Sequence, residues 1–178
     1  MADEDLDWSD GLLRSFRRSA FRFETRSAYA LSYEQADFDR FLAGSPIPPP
    51  ELDWWRPWLE EITRLTAEGK TISRVRVLDE PPSDYQRWEM WAAPWHSQAG
   101  ERIAYISRTH ARRAALPAWL GNDWWLLDDK RVIHMQFTQD GKIEKRTTSD
   151  NLGTVARFIE WRDLAVRIAT PAEQIAAA

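Results

Sequence analysis

The stretch RVRVLDEPPSDYQRWE, residues 74–89, holds a strand, a turn and the start of a helix in close succession. The strand is predicted over 70–78, where valines alternate with Arg74 and Arg76, because alternate residues of a strand face opposite sides of a sheet. The proline pair after it predicts a turn, and a helix is predicted over 84–91. This order indicates a domain in which helices pack on a sheet.

Strand and helix patterns continue on both sides of this stretch. A continuous apolar run over 124–127 is typical of a strand buried on both faces, and the Asp128–Asp129 pair after it predicts a tight turn. The fold class is therefore α+β, a central mixed sheet flanked by helices, with a small N-terminal helix and strand unit. Further strands are predicted over 21–24, 102–107, 132–137 and 143–148, and further helices from about residue 10, over 33–43, over 51–68 and over 151–168.

The segment SPIPPP, residues 45–50, is the one clear linker in the sequence. Consecutive prolines enforce an extended path and exclude a helix. We place a subdomain boundary there, between an N-terminal helix and strand subdomain over 1–44 and a sheet domain over 51–170. Residues 171–178 are predicted to be a frayed tail.

The composition excludes several classes of protein. With 24 Lys and Arg against 28 Asp and Glu, the chain has a net charge of −4, which is unlike a basic nucleic-acid-binding domain. The absence of cysteine excludes disulfides and thiolate chemistry. No apolar run approaches the roughly 20 residues of a membrane span, and the acidic N-terminus lacks the pattern of a signal peptide. We expect a cytoplasmic protein that binds neither nucleic acid nor membrane directly.

No motif for a metal, a cofactor or a nucleophile is present. The three histidines, His96, His110 and His134, do not have metal-ligand spacing. Neither a phosphate-binding glycine loop nor a nucleophile elbow occurs. We therefore predict no metal, no cofactor and no catalytic residue.

The stretch 74–89 is also the main candidate for a ligand site, because open α/β sheets bind ligands at polar turns after their strands. Arg74 and Arg76 would hold an anionic group between aromatic walls. The alternative, which we prefer at this point, is an internal network that pairs the arginines with Glu24, Glu80 or Glu89 and locks the N-terminal unit to the sheet. The candidate ligand-binding residues are Arg74, Arg76, Glu80, Tyr85, Arg87, Trp88 and Glu89.

A second set of residues could form a surface for a protein partner. The chain has eleven tryptophans, and tryptophan and arginine are enriched at interface hot spots. The alternative is that the arginines form a solvated face and the tryptophans pack in the core. The interaction candidates are Arg14, Arg17, Arg18, Trp54, Trp55, Trp95 and Trp119.

Three segments carry a resemblance to a known family: FRRSAFRFETRSAY (16–29), RVRVLDEPPSDYQRWE (74–89) and NDWWLLDDKRVIHMQF (122–137). They resemble an uncharacterised actinobacterial domain-of-unknown-function family, in the same order and over nearly the whole chain. The resemblance implies a stand-alone protein that is often encoded beside helix-turn-helix regulators. It implies no activity.

The RVRVL strand and the WWLLDDKRVIHM strand pair are also similar to half of a phospholipase D-like domain. That superfamily carries the motif HxKxxxxD. If its aspartate is aligned with Asp128, the lysine falls on Asp123 and the histidine on Gly121. Both catalytic residues are absent, so phosphodiesterase activity is not expected, and the likeness implies a non-catalytic sensor or effector.

These observations predict a non-enzymatic regulatory or interaction module that partners or modulates a helix-turn-helix transcriptional regulator. The alternative is a small-molecule-binding protein or enzyme that takes an anionic ligand in an Arg/Tyr/Glu pocket. The first hypothesis predicts a surface patch of tryptophan and arginine. The second predicts a concave pocket with perturbed titratable groups.

Overall fold

The computed structural model describes residue 11, residues 15–118 and residues 122–176. One mixed sheet of seven strands organises this part of the chain. Its strands are β1 (Ser19–Glu24), β2 (Thr71–Leu78), β3 (Arg102–Ser107), β4 (Asp123–Leu127), β5 (Arg131–Phe137), β6 (Ile143–Ser149) and β7 (Thr170–Pro171). Its helices are α1 (Gln35–Leu42), α2 (Arg56–Ala67), α3 (Asp84–Ala99), α4 (Arg108–Arg113), α5 (Leu152–Ile168) and α6 (Ala172–Ala176).

The strands follow the order β6-β5-β4-β1-β2-β3-β7 across the sheet. The adjacent strands β1, β2 and β3 run parallel to one another, and the other neighbouring pairs are antiparallel. Most of the predicted strands and helices lie within a few residues of their observed positions, so the α+β class is confirmed. The helix predicted from about residue 10 falls largely outside the described residues.

The proline segment 45–50 does not divide two domains. β1, which precedes it, lies between β4 and β2, which follow it, in one hydrogen-bonded sheet. The expectation that the prolines exclude a helix is wrong at the end of the segment, where Pro49–Glu51 form one turn of 3-10 helix. Proline is tolerated in the first turn of a helix because its missing N–H has no partner there. Phe21 and Phe23 of β1 are buried in the core. Burying these two rings makes β1 a central strand instead of part of a separate N-terminal unit.

Two further segments are more regular than the sequence suggested. The predicted tail begins with β7 and α6, and Ala172 packs in a core cluster, while residues 177 and 178 lie outside the described part of the chain. Helix α3 continues to Ala99, past its predicted end at residue 91 and through Pro94. A proline inside a helix costs about 3 kcal/mol, and burial of His96 and Ala99 beyond it offsets that cost. Gly100, with a φ of 105°, ends the helix.

Different helices cover the two faces of the sheet. On one face, α4 and α5 cover an apolar layer that includes Val75, Val77 and Trp124. On the other, α2 and α3 cover a layer that also carries Arg74 and Arg76. The alternation predicted in β2 is therefore confirmed. None of the helices in the described part of the chain has the length and apolar character needed to cross a bilayer.

Candidate functional site

A cavity of about 390 Å³ lies between the sheet and helices α2 and α3. Its floor is the charged face of β1 and β2, with Arg22, Glu24, Arg74 and Arg76. Its walls come from α2, α3 and the loop segment 29–34. The volume lies within the range of about 300–1,000 Å³ that is usual for small-molecule sites.

Glu24 joins the three buried arginines Arg22, Arg74 and Arg76, which we call the floor arginines. Its carboxylate accepts hydrogen bonds from Arg22 Nε at 3.2 Å, Arg74 Nη1 at 3.3 Å and Arg76 Nε at 2.7 Å. The parallel register of β1 and β2 explains this convergence, because it sets Arg22 beside Arg74 and Glu24 beside Arg76 on one face. Burial alone would raise the pKa of Glu24, but the arginine charges hold it far below its usual value.

Each floor arginine also has a second carboxylate partner. Arg22 Nη2 lies 3.4 Å from Asp123, Arg74 Nε 2.5 Å from Glu101, and Arg76 Nη2 3.0 Å from Glu89. The predicted pairing of Arg74 and Arg76 with Glu24 and Glu89 is therefore confirmed. Glu80 takes no part, because its carboxylate accepts the backbone N–H of Thr109 at 3.0 Å instead.

His96 extends this network into the helical layer as a neutral imidazole. Its Nε2 accepts the indole N–H of Trp55 at 3.0 Å, so that nitrogen carries no proton. Its Nδ1 then carries the proton and donates it to Glu101 at 2.6 Å. Burial lowers the pKa of His96, which agrees with the neutral form. Both ring nitrogens are thus committed to protein partners.

Two tyrosines hold carboxyl groups beside the cavity. Tyr29 donates its hydroxyl proton to Asp123, and Tyr85 donates to Glu34, each at 2.5 Å. Burial raises the pKa of Glu34 to about 8, although the hydrogen bond from Tyr85 opposes that shift. Burial also raises the pKa of Glu89, against the opposing charge of Arg76. The cavity therefore contains two carboxyl groups, Glu34 and Glu89, that titrate near neutral pH.

Aromatic rings form a nearly continuous wall around the cavity. Trp54 stacks on Trp55 with ring centroids 4.7 Å apart, and Trp55 meets Trp88 edge to face at 5.3 Å. Tyr85 meets Trp88 in the same way at 5.4 Å. On the sheet side, Trp125 is 4% exposed, and its indole N–H has no hydrogen-bond partner among the described residues. These rings make a largely apolar enclosure above a charged floor.

The structure brings together most of the ligand-site candidates of the stretch 74–89. Two of the seven lie elsewhere: Glu80 on the far side of the turn, and Arg87 on the exposed face of α3, paired with Asp84. Residues three and four apart share a helix face, so the position of Tyr85 brings Trp88 and Glu89 to the cavity and turns Arg87 away. The candidates that line the cavity are Arg74, Arg76, Tyr85, Trp88 and Glu89.

Sequence reasoning missed several groups of the site. Arg22 and Glu24 alternate with phenylalanines in a strand that was predicted, so their shared face was an available signal. Tyr29, Glu34 and His96 carry no such signal, because only the folding of the chain around the sheet brings them to the cavity. Within the described residues, no cluster of histidine and acidic side chains is arranged to hold a metal ion.

The interaction candidates do not form a surface patch within the described residues. Trp55 is buried, and Trp54 and Trp95 are half-buried against the core cluster that contains Trp88. Their indole rings are amphipathic and large, so they pack even where the local sequence is polar. Two further candidates, Arg14 and Trp119, lie outside the described residues.

Arg17 and Arg18 are exposed, and their backbone N–H groups have a structural role. They donate to the carboxylate of Asp128 at 2.8 and 2.7 Å, and the N–H of Ser19 donates to it at 3.0 Å. Asp128 and Asp129 have φ values of 53° and 56°, as the predicted tight turn requires. The turn thus holds the start of β1.

Two comparisons with known proteins bear on identity. A search of the curated proteins finds no match. Residues 7–177 match DUF6879, a domain of unknown function. That match covers nearly the whole chain, including every residue of the cavity described above. The chain therefore belongs to the DUF6879 family.

Proposed function

We propose that this domain binds a small molecule in the cavity between its sheet and helices α2 and α3. The observation that carries the proposal is the convergence of aromatic walls and charged groups around about 390 Å³ of space. Ligand sites are typically concave and mainly apolar, with a few placed polar groups. Titratable groups with shifted pKa values, such as Glu34, also gather at functional sites.

Binding is supported better than catalysis by the way the polar groups are engaged. His96 uses both ring nitrogens within the protein, so it is not available as a general base. Tyr29 and Tyr85 donate their protons to carboxyl groups. The floor arginines are held by carboxylates on two sides each. Polar groups held in this way favour a rigid, preorganised binding surface.

The proposal is tested by filling the cavity. Leu31 lines it and is half-buried, whereas Leu42 is 52% exposed on α1. A small-molecule extract of the native host is incubated with the protein, unbound material is removed by gel filtration, and mass spectrometry identifies what is retained. We expect wild type and the control variant Leu42→Trp to retain the same compounds, and Leu31→Trp to lose them because its indole occupies the space.

The proposal fails if wild type retains no compound. It also fails if Leu31→Trp retains what wild type retains while its circular dichroism and thermal midpoint show a folded protein. A change in Leu42→Trp would point to a nonspecific effect of an added indole on retention.

We also propose, from the resemblance described above, that the domain modulates a helix-turn-helix regulator. The surface tryptophan patch expected for this role is not found in the described part of the chain. We therefore propose that binding of a ligand in the cavity, instead of such a patch, controls the interaction with the regulator. A tagged protein is used for capture from the native host with and without added extract. Ligand-dependent recovery of a helix-turn-helix protein supports the role, and its absence under both conditions contradicts it.

Three finer expectations stay proposals: the phospholipase D-like half-domain topology, the non-enzymatic role and the cytoplasmic location. Asp123, which takes the lysine position of the phosphodiesterase motif, accepts hydrogen bonds from Thr25 and Tyr29 and is fully buried. Those contacts support a structural use of that position. Gly121, at the histidine position, lies outside the described residues.

A further inference from the structure

The floor of the cavity offers little free positive charge to an anionic ligand. Glu24 contacts all three floor arginines, and Asp123, Glu101 and Glu89 each hold one of them at 2.5–3.4 Å. An anion would have to displace one of these carboxylates and leave it buried beside another negative charge, which is costly. The arrangement therefore disfavours the anionic ligand that the arginines alone suggested.

Glu34 is in the opposite situation. Its carboxyl group lines the cavity and accepts the Tyr85 hydroxyl at 2.5 Å. In the described part of the chain, no lysine or arginine forms an ion pair with it. The nearby charges of Glu89 and Glu24 make the negative form of Glu34 still less favourable, and the charge of Arg76 opposes them in part. The cavity thus presents a carboxyl group without the direct arginine contact that each acid of the floor makes.

Aromatic rings adjoin this carboxyl group. Tyr85, which binds Glu34, packs edge to face on Trp88, and Trp88 does the same on Trp55. The faces of such rings attract cations. The indole N–H groups of Trp54 and Trp55 are bound to Asp37 and His96, so they do not compete as donors for a ligand.

We propose that the ligand is an organic cation with a protonated amine. Its ammonium group would donate hydrogen bonds to Glu34 and pack against the rings of Tyr85 and Trp88, while the rest of the molecule fills the space above the floor. This inference rests on the proposed small-molecule function and names the chemical class of the ligand. A carboxylate beside aromatic faces provides both the hydrogen-bond acceptor and the electrostatic attraction that an ammonium group requires.

Amine binding should release a proton. The pKa of Glu34 is raised to about 8 by burial, so its carboxyl group is mainly protonated at pH 7. A nearby positive charge lowers the pKa of a carboxyl group, and the bound cation therefore drives the proton off. Affinity should rise with pH below 8, by up to about tenfold per pH unit.

The test uses three probes with the same aromatic ring and different charge: phenethylamine, 2-phenylethanol and phenylacetate. Binding to the full chain is measured by isothermal titration calorimetry at pH 7, in phosphate and in MOPS, because the difference in heat between buffers reports proton release. We expect phenethylamine to bind with a Kd of about 1 mM or tighter. It should bind about tenfold more tightly than either other probe, and only its binding should release a proton.

Glu34→Gln tests the assigned contact, because glutamine keeps the shape and an acceptor for Tyr85 but removes the charge. The preference for phenethylamine over 2-phenylethanol should fall below about threefold, with binding of the alcohol unchanged and proton release abolished. Glu60→Gln, at an exposed position of α2, is the matched control and should behave as wild type.

Tighter binding of phenylacetate or equal binding of all three probes would overturn the amine class and leave the small-molecule function intact. The same holds if phenethylamine does not bind at about 10 mM, well above the expected Kd, or if Glu34→Gln retains the full preference. Failure of the proposed function itself has a different signature, which is that wild type retains no compound from the extract.

Discussion

The two faces of the central strands bury different kinds of side chain. On the face covered by α4 and α5, Phe23 and Val75 pack with Trp124 in an apolar layer. On the face covered by α2 and α3, neighbouring residues of the same strands place Glu24 and Arg74 in a buried ionic network. Both faces are nearly inaccessible to solvent, and the charged face forms the floor of the cavity below helices α2 and α3.

This difference argues that the charged face is kept for a purpose other than stability. Replacing a buried ion-pair network by apolar residues is often neutral or stabilising. The apolar face shows that this fold accommodates apolar packing on the same strands. Because the network also lines the cavity, we propose that these charged side chains are kept for ligand binding.

The largest effect is expected from Glu24→Gln on the charged face. The substitution leaves three buried arginines without their shared carboxylate, and we expect the free energy of unfolding to fall by about 3–5 kcal/mol. Urea unfolding at pH 7 measures it, with the exposed Glu60→Gln as control. A loss below about 1 kcal/mol would mean that the remaining carboxylates are sufficient partners.

A smaller loss is expected from Leu126→Ala on the apolar face, where Leu126 is 1% exposed. Removing its buried methyl groups should lower the free energy of unfolding by about 3 kcal/mol. This loss should be the same at pH 4 and pH 7. The loss from Glu24→Gln should instead shrink at low pH, because the pKa of Glu24 is lowered by the arginines and wild type gives up that stabilisation as the pH falls below the unfolded value. If the two variants show the same pH dependence, the contrast between the faces is not electrostatic.

The smallest expected effect is a gain in the free energy of unfolding, in Glu34→Gln. The pKa of Glu34 is raised to about 8 in the folded chain, so wild type loses stability as the pH rises from the unfolded value of about 4.3 towards 8. Glutamine does not titrate, and Glu34→Gln should become more stable than wild type by about 1 kcal/mol or more between pH 5 and pH 8. Thermal or urea unfolding across that range measures the difference. A flat difference would show that Glu34 is solvated in the folded protein.

The contrast between the two faces becomes sharper when the stabilities of Leu126→Ala and Glu34→Gln are compared with the binding of phenethylamine. A substitution that stabilises the fold and abolishes amine recognition would mark Glu34 as a group kept for function at the expense of stability. Leu126, on the apolar face, contributes through packing alone.

Several features of the fold and site followed from local patterns in the sequence. The alternation of valine and arginine in 74–77 predicted a strand with one apolar and one charged face. The helix that follows carries Tyr85, Trp88 and Glu89 at spacings that share a face, and all three line the cavity. Pro94 shows the limit of such patterns, because burial of the residues after it keeps the helix intact.

Only the tertiary structure decided which partner each arginine meets. Glu24 lies 52 residues from Arg76 in the chain, and the parallel register of β1 and β2 sets them side by side. Asp123 begins β4, and Glu101 directly precedes β3. No periodic pattern in the sequence predicts that these two acids meet the arginines. The periodicity of a strand sequence predicts on which face of the sheet a side chain lies, because that face depends on backbone geometry alone. The partner across the sheet depends on strand order and register, which are set by the packing of the whole chain.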